Sequence, residues 1–537
     1  MSDSGPGAPR GAGGDAAGGQ ARPERPPLRA LDPATATRLT DGRAPLPALY
    51  VSNRLLVRND PGPTRGLAGL GAALDRLGLD YEDTPRPGGP RELAPGGWGR
   101  SITLVPRRAI QPVDAWEVLQ QLREAGDPVA ESLSLEHVLR PADGYWGGIG
   151  GYWGGIGGYW GGIGGYWGGI GYWGGIGGSA LQEYAVPGRG GRMPVSLALP
   201  DPALRARKVD RSPVVALLDT PVADHPWFRD PERLVRLRYE NGRLVPDDPP
   251  VTSPSAASAN PQAATPAPTP TPTPAPTPAP AEPVGLLQGH ATFIAGLLRQ
   301  GCPEATVLSI PVMDDDGVVD ESHLLDVLEA LLERHERGQK RGGRKADVVD
   351  ILSLSMGYYA EDSSFTSGPV ALMLGRFTAA GVTVVAGAGN DGTSSPFVPA
   401  SLATPLPGPK LPQVPPVSSV GAGNPDGTTV ALFSNPLTVI TAIRPGVSLV
   451  STLPLTDGMG QPSSRIPGDT FVRCTVDPDD YTGGFGVWSG TSFSTPVFAA
   501  ELAASLVEQG GLKDVRPAAM CGRSITALHC CTDKDKP

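Results

Sequence analysis

The stretch VVDILSLSMGYYAEDSSFTSGPVALMLGRFTAAGVTVVAGAGN, residues 348–390, decides the fold. Two runs rich in Val, Ile and Leu, VVDILSLSM and GVTVVAGAGN, flank a helical pattern, PVALMLGRFTAAG. Short apolar runs bounded by turn residues suit strands buried on both faces, as in parallel sheets. Working outward, the same alternation repeats, with strand-like SPVVALLDT and ATVLSIPVM and helical HATFIAGLLRQ and SHLLDVLEALLERHERG. On the last of these, Leu324, Leu325, Leu328, Leu331 and Leu332 form one face, and Gly338 suits the position just past a helix end. The expected fold class is α/β, a mainly parallel sheet with helices on both faces. In such sheets, sites collect at the carboxyl ends of strands.

Around this core the composition is uneven. Of 537 residues, 73 are Gly and 61 Pro, about a quarter together, where low-complexity behaviour begins. Residues 1–43 are rich in Gly, Ala, Pro and Arg without periodicity and are expected to be disordered. Residues 44–141, from ALYVSNRLLVR to LEHVLRP, read as a small α+β domain. From Gly144 to Gly177 the heptad GYWGGIG recurs, the fourth of five copies one residue short. That slip breaks the register of any ordered stack, so 142–179 is read as a linker. The main domain is assigned to 180–510, with a Pro/Thr-rich insertion at 250–283 expected as solvated polyproline II. Residues 511–537 form a C-terminal tail.

The formal charge of −10, with no basic stripe, disfavours nucleic acid. No run of 18 apolar residues and no apolar signal segment is present, so a soluble cytoplasmic protein with no membrane partner is expected. Export by a route not visible in the sequence is the alternative. Cys302, Cys474, Cys521, Cys530 and Cys531 show neither metal-ligand spacing nor a disulfide framework.

Three points at strand or helix ends can carry chemistry. Asp219 ends VVALLD, Asn390 ends VVAGAGN, and Ser492 sits where WSGTSFSTPVFAA turns into a helix. There Pro496 is expected in the first turn, whose N–H groups need no intrahelical partner. A serine hydroxyl is a weak nucleophile until a base takes its proton, and a histidine serves if a carboxylate fixes its tautomer. Among six histidines, His323 and His335 lie on a charged amphipathic helix and are expected to be solvated. His225 lies in an irregular loop beside Pro226, His137 in the N-terminal α+β region and His529 in the polar tail. His290, in GHATFIAG, combines a flanking glycine, a following apolar helix and small neighbours.

Together VVALLDT, GHATFIAG, VVAGAGNDG and SGTSFSTPVFAA resemble the four signature segments of the subtilisin-like serine peptidases, in that family's chain order. The likeness covers roughly residues 210–510. It implies Ser492 as nucleophile, His290 as general base, Asp219 as the group orienting the imidazole, and Asn390 as oxyanion-hole donor beside the Ser492 backbone N–H. It further implies that Ser355, Met356 and Gly357 form the substrate-binding edge, and Gly387, Ala388 and Gly389 a pocket wall, taking extended polypeptide as an added strand. The reaction expected is endopeptidase cleavage through an acyl-enzyme. Calcium often stabilises the family, but no loop here has a readable ligand spacing, so no cofactor or metal is placed. A monomer is expected.

The sequence departs from the family pattern at Pro221, Ala291, Phe293, Ser494 and Ala500, and at Tyr358, which is expected to reshape the pocket. Residues 44–141 resemble the family's propeptides more weakly, which implies an intramolecular inhibitor; a non-cleaved accessory domain is the other reading. A catalytically inactive, peptidase-shaped binding protein is the alternative function. An α/β-hydrolase would need a G-x-S-x-G elbow, which is absent.

Overall fold

The computed structural model describes residues 27–85, 96–108, 113–141, 191–197, 200–247, 287–313, 317–403, 417–456 and 464–508. The GYWGGIG repeat, the Pro/Thr-rich insertion, residues 1–26 and the C-terminal tail lie outside the described residues.

The N-terminal unit is an antiparallel sheet backed by two helices. Its elements are β1 (Leu28–Leu31), β2 (Ala48–Val57), α1 (Gly66–Arg76), β3 (Leu79–Asp83), β4 (Arg100–Pro106), α2 (Ala115–Glu124) and β5 (Leu133–Pro141). Tyr50, Leu55, Leu70, Leu74, Trp116 and Leu119 fill the space between sheet and helices. Asp114 caps α2, accepting from the Trp116 N–H at 3.0 Å, and also takes the Tyr50 hydroxyl at 2.7 Å. The expectation of disorder through residue 43 fails over the described part. Leu28–Leu31 pairs with β2 from Leu28↔Val51 to Leu31↔Ala48, burying Leu31 and giving the edge of β2 a partner.

The larger unit holds a second sheet in the order β17-β16-β14-β12-β7-β10-β8-β9. These strands are β7 (Val214–Asp219), β8 (Leu234–Glu240), β9 (Arg243–Pro246), β10 (Thr306–Pro311), β12 (Ile351–Leu354), β14 (Thr383–Gly387), β16 (Val417–Gly423) and β17 (Ala442–Pro445). All neighbours pair in parallel except β8 with β9. Along β7 alternate side chains serve opposite layers. Val215 and Leu217 join one apolar cluster with α3 (His290–Gly301) and α6 (Thr491–Glu508). Val214, Ala216 and Leu218 join another with α4 (Glu321–Gln339) and α5 (Pro369–Ala379). The parallel α/β reading therefore holds, helices lying on both faces. Gly338 does not end its helix as expected; α4 runs on to Gln339. The loop returning from Arg344 to Val348 passes so close that a Cβ on Gly338 would lie 2.8 Å from Val348 Cγ2.

Smaller pieces complete the unit. The strands β6 (Met193–Pro194), β18 (Leu449–Thr452) and β21 (Phe485–Trp488) form a ribbon, and β19 (Arg465–Ile466) pairs with β20 (Arg473–Cys474). The remaining strands, β11 (Val319–Asp320), β13 (Met356–Tyr359) and β15 (Phe397–Val398), belong to the sheet of the N-terminal unit. Its last strand, β5, pairs antiparallel with β11 and, at Pro141↔Met356 and Arg140↔Gly357, with β13. One continuous sheet thus joins the two units. Among the described residues no helix is long and apolar enough to cross a membrane.

Candidate active site

Asp219 is the last residue of β7 and His290 the first of α3, both fully buried. His290 Nδ1 lies 2.7 Å from Asp219 Oδ1. The same oxygen accepts the Thr220 N–H at 2.7 Å, and the Thr220 hydroxyl oxygen accepts the Ala291 N–H at 3.1 Å. Strand end and helix start are thereby tied together. Gly289 makes the join feasible: its φ of 85° is left-handed, and a Cβ there would run into the ring of Pro454. A carboxylate at Nδ1 makes Nε2 the basic nitrogen of the neutral ring.

Aromatic side chains set the ring's position. The His290 ring centroid lies 5.3 Å from Phe493 and 5.7 Å from Trp488, and Phe293 packs 4.6 Å from Phe493. Phe293, one of the departures from the family pattern, therefore serves as packing.

Ser492 is the second residue of α6. Its hydroxyl donates to the Ser355 carbonyl at 3.1 Å, while the Ser355 hydroxyl donates to the Ser492 carbonyl at 2.8 Å. Pro496 explains the second bond. Because α6 starts at Thr491, Pro496 is its sixth residue and lies beyond the first turn, contrary to expectation. An N–H at position 496 would normally bond the carbonyl of residue 492. Proline has none, and Ser355 takes the released oxygen.

Asn390 follows β14. Its Oδ1 accepts the Thr491 N–H at 2.9 Å, which fixes the amide orientation and leaves Nδ2 buried with no hydrogen-bond partner. The Gly389 N–H donates to Thr491 Oγ1 at 3.1 Å. Asp219 and His290 form one bonded pair, and Ser492, Ser355, Thr491 and Asn390 form a second group. They meet where Phe493, next after Ser492, lies against the imidazole.

Asn435 was not singled out by the sequence reading. Buried to 1% exposure, it accepts the N–H groups of Asp391 and Thr393 at 3.0 and 3.1 Å. Its Nδ2 donates to the Ala388 carbonyl at 3.0 Å and the Tyr359 hydroxyl at 2.9 Å. Gly389 has φ 97°, and a Cβ there would collide with that amide. The one available signal was the Asn-Pro turn at Asn435-Pro436.

Gly387 ends β14, and the Ala388 N–H continues the ladder to the Val420 carbonyl at 3.0 Å. Ser355, Met356 and Gly357 line the strand edge next to Ser492, but β5 already occupies it at Met356 and Gly357. Tyr358 is buried and stacks on His137 with ring centroids 4.1 Å apart. Tyr359 points the other way along the pleat and donates to Asp391 at 2.5 Å. Burial pushes the Asp391 carboxyl up to about 6. His335 is not solvated either: it is buried, its Nδ1 accepting the Val349 N–H at 3.0 Å, with Nε2 3.2 Å from the Ala380 carbonyl.

The model of the subtilase family, peptidase S8, matches residues 210–520, more than half of the chain. The chain belongs to the subtilase family. Among solved structures, this subtilase is similar to the patellamide maturation protease PatA, at 20% identity and TM-score 0.36, covering 60% of this chain and 86% of that one. It is also similar to a lanthipeptide protease (17% identity, TM-score 0.36, covering 57% of this chain and 78% of that one). A cold-adapted subtilisin-like serine proteinase matches at 16% identity and TM-score 0.34, covering 57% of this chain and 79% of that one. No curated protein matches the chain. The family is one of serine peptidases.

Proposed function

We propose that this subtilase is a serine endopeptidase working through Asp219, His290 and Ser492. The observation that carries the reading is the 2.7 Å contact of Asp219 with His290 Nδ1, at the rim where Ser492 and the unpartnered Asn390 amide also lie. Ser492 Oγ turns from the Ser355 carbonyl, gives its proton to His290 Nε2 and attacks the scissile carbonyl carbon. Asp219 holds the ring and stabilises the imidazolium. Asn390 Nδ2 and the Ser492 N–H stabilise the oxyanion. The imidazolium then protonates the leaving amine, and water, deprotonated by His290, hydrolyses the acyl-enzyme.

The N-terminal unit acts as an intramolecular inhibitor, because β5 holds the strand edge that an extended polypeptide substrate would pair with. No cofactor enters the reaction. The purified protein is expected to hydrolyse unfolded casein and to gain a new N-terminus between residues 142 and 212. Both should be absent in Ser492→Ala. Casein hydrolysis with no new terminus would remove the inhibitor reading alone; equal hydrolysis by Ser492→Ala would remove the peptidase reading.

A further inference from the structure

Away from the triad, the seam between the two units buries an unusual set of ionisable groups. His137, on β5, is 3% exposed. Its Nδ1 lies 2.7 Å from Glu321 Oε2, at the start of α4, and its Nε2 lies 2.8 Å from Glu361 Oε2, just after β13. The ring stacks on Tyr358 at 4.1 Å with 14° between planes. Both carboxylates and the tyrosine belong to the larger unit. A neutral imidazole has one N–H, so one of its nitrogens would turn a lone pair toward a carboxylate oxygen. Both contacts are hydrogen bonds only with one extra proton shared among the three side chains, and an imidazolium donating to both carboxylates provides it.

We propose that Glu321, Glu361 and the face of Tyr358 form a cation-accepting docking site on the larger unit, filled by the protonated imidazole of His137, so that seating the N-terminal unit takes up a proton. The partner is therefore a segment of this same chain, and its seating loosens as the solution becomes alkaline.

Burial opposes charge on the ring, but Glu361 and Glu321 overcome it and raise His137 from its ordinary 6.5 to about 10. The stabilisation from a raised pKa is complete below pH 6.5 and is lost as pH climbs through about 10. The neighbouring Glu136 of β5 points the same way. It is bonded to Ser101 of its own unit and Ser322 of the larger one. Burial, followed by the Asp320 charge, pushes Glu136 up to about 7, so its contribution fades as pH rises from 4.5 through 7. Asp320 is itself raised by burial against the pull of Arg54. Glu361 opposes this trend. Burial alone would raise it, yet His137 brings it below its ordinary 4.5, so docking also weakens in strong acid. Among the described residues, other groups at the seam include Tyr50, cross-strand to His137 with its hydroxyl on Asp114, Arg123, near Glu361 and Asp362, Arg140 of β5, whose charge acts on Asp391, and the Tyr358 hydroxyl, bonded to Glu321. Docking is tightest at mildly acidic pH.

The test uses the full chain as Ser492→Ala, so that it is independent of whether the peptidase reading stands. Ring-labelled histidine NMR from pH 6 to 10 should show one imidazole still protonated at pH 9, missing in His137→Gln and titrating at least one pH unit lower in Glu361→Gln. Hydrogen exchange of the β5 and β13 amides, corrected for intrinsic rates, should lose protection up to about tenfold per pH unit between 7 and 10. In Glu361→Gln that slope should flatten. If His137 titrates near 6.5, or if protection of β5 is independent of pH in the Ser492→Ala chain, the proposal is overturned.

Discussion

Replacing Asn435 with alanine tests how the loop bearing Asn390 is held. The side chain makes four hydrogen bonds, to the Asp391 and Thr393 amides, the Ala388 carbonyl and the Tyr359 hydroxyl. Asp391 and Thr393 are half-buried, so water can replace the lost acceptor at roughly 0.5–1 kcal/mol each. Ala388 and Tyr359 are buried, and each loses a donor at about 1–2 kcal/mol. The sum is about 3–6 kcal/mol, a large share of the stability of an ordinary domain. Urea unfolding, in a Ser492→Ala background to prevent self-digestion, measures it against Asn424→Ala. Asn424 makes its side-chain bonds to Thr429 and Val430 at the exposed surface, and its loss should fall below about 1 kcal/mol. Equal losses for the two variants would refute the claim that Asn435 organises this loop.

Other outcomes follow from the same geometry. Asn390→Ala should lower kcat by about 10²–10³ with KM little changed, the loss known from subtilisin itself when one oxyanion donor is removed; an unchanged kcat would exclude that role. Phe293→Ala, at a fully buried ring packed on Phe493, should cost about 3–5 kcal/mol in urea unfolding and also slow hydrolysis by loosening His290. Burial lowers the pKa of His335 below 6.5, so the unfolded chain binds the proton more readily and the contribution of His335 to stability should fall as pH drops below 6.5, opposite in sign to the raised carboxyls of Asp391 and Glu136. The stability difference between the parent chain and His335→Gln, from urea unfolding between pH 7.5 and 5, isolates this contribution and should shrink as pH falls, the other ionisable groups being common to both. Gly389→Ala should destabilise the protein more than Gly375→Ala, because a Cβ at 375 meets nothing within 4 Å whereas one at 389 strikes the Asn435 amide at a left-handed φ.

Much of the fold was legible because buried parallel strands are written as short continuous apolar runs, and Val214–Asp219 and Thr383–Gly387 fall where such runs stand. The candidate site was legible because Asp219, His290, Asn390 and Ser492 sit at the ends of those elements, inside segments with glycine at the turns. What was not legible depends on contacts between distant residues. Nothing near Ser355 announces that its hydroxyl will meet a carbonyl released by Pro496. His335 shares its helix with many charges, yet faces inward because the Val349 amide needs an acceptor. Leu28–Leu31 is too short to declare itself, and became a strand because β2 offers it an edge. Tyr358 and Tyr359 are adjacent in sequence and opposite on the pleat, so which one faces the pocket loop depended on a register that only the folded sheet supplies.

The central claim is that Ser492 is a nucleophile made reactive by His290. Reacting the purified protein with a fluorophosphonate and mapping the adduct by peptide mass spectrometry tests it most directly. A single adduct on Ser492 that disappears in His290→Ala is the predicted result. Labelling of another serine, or equal labelling of Ser492 in His290→Ala, would contradict it.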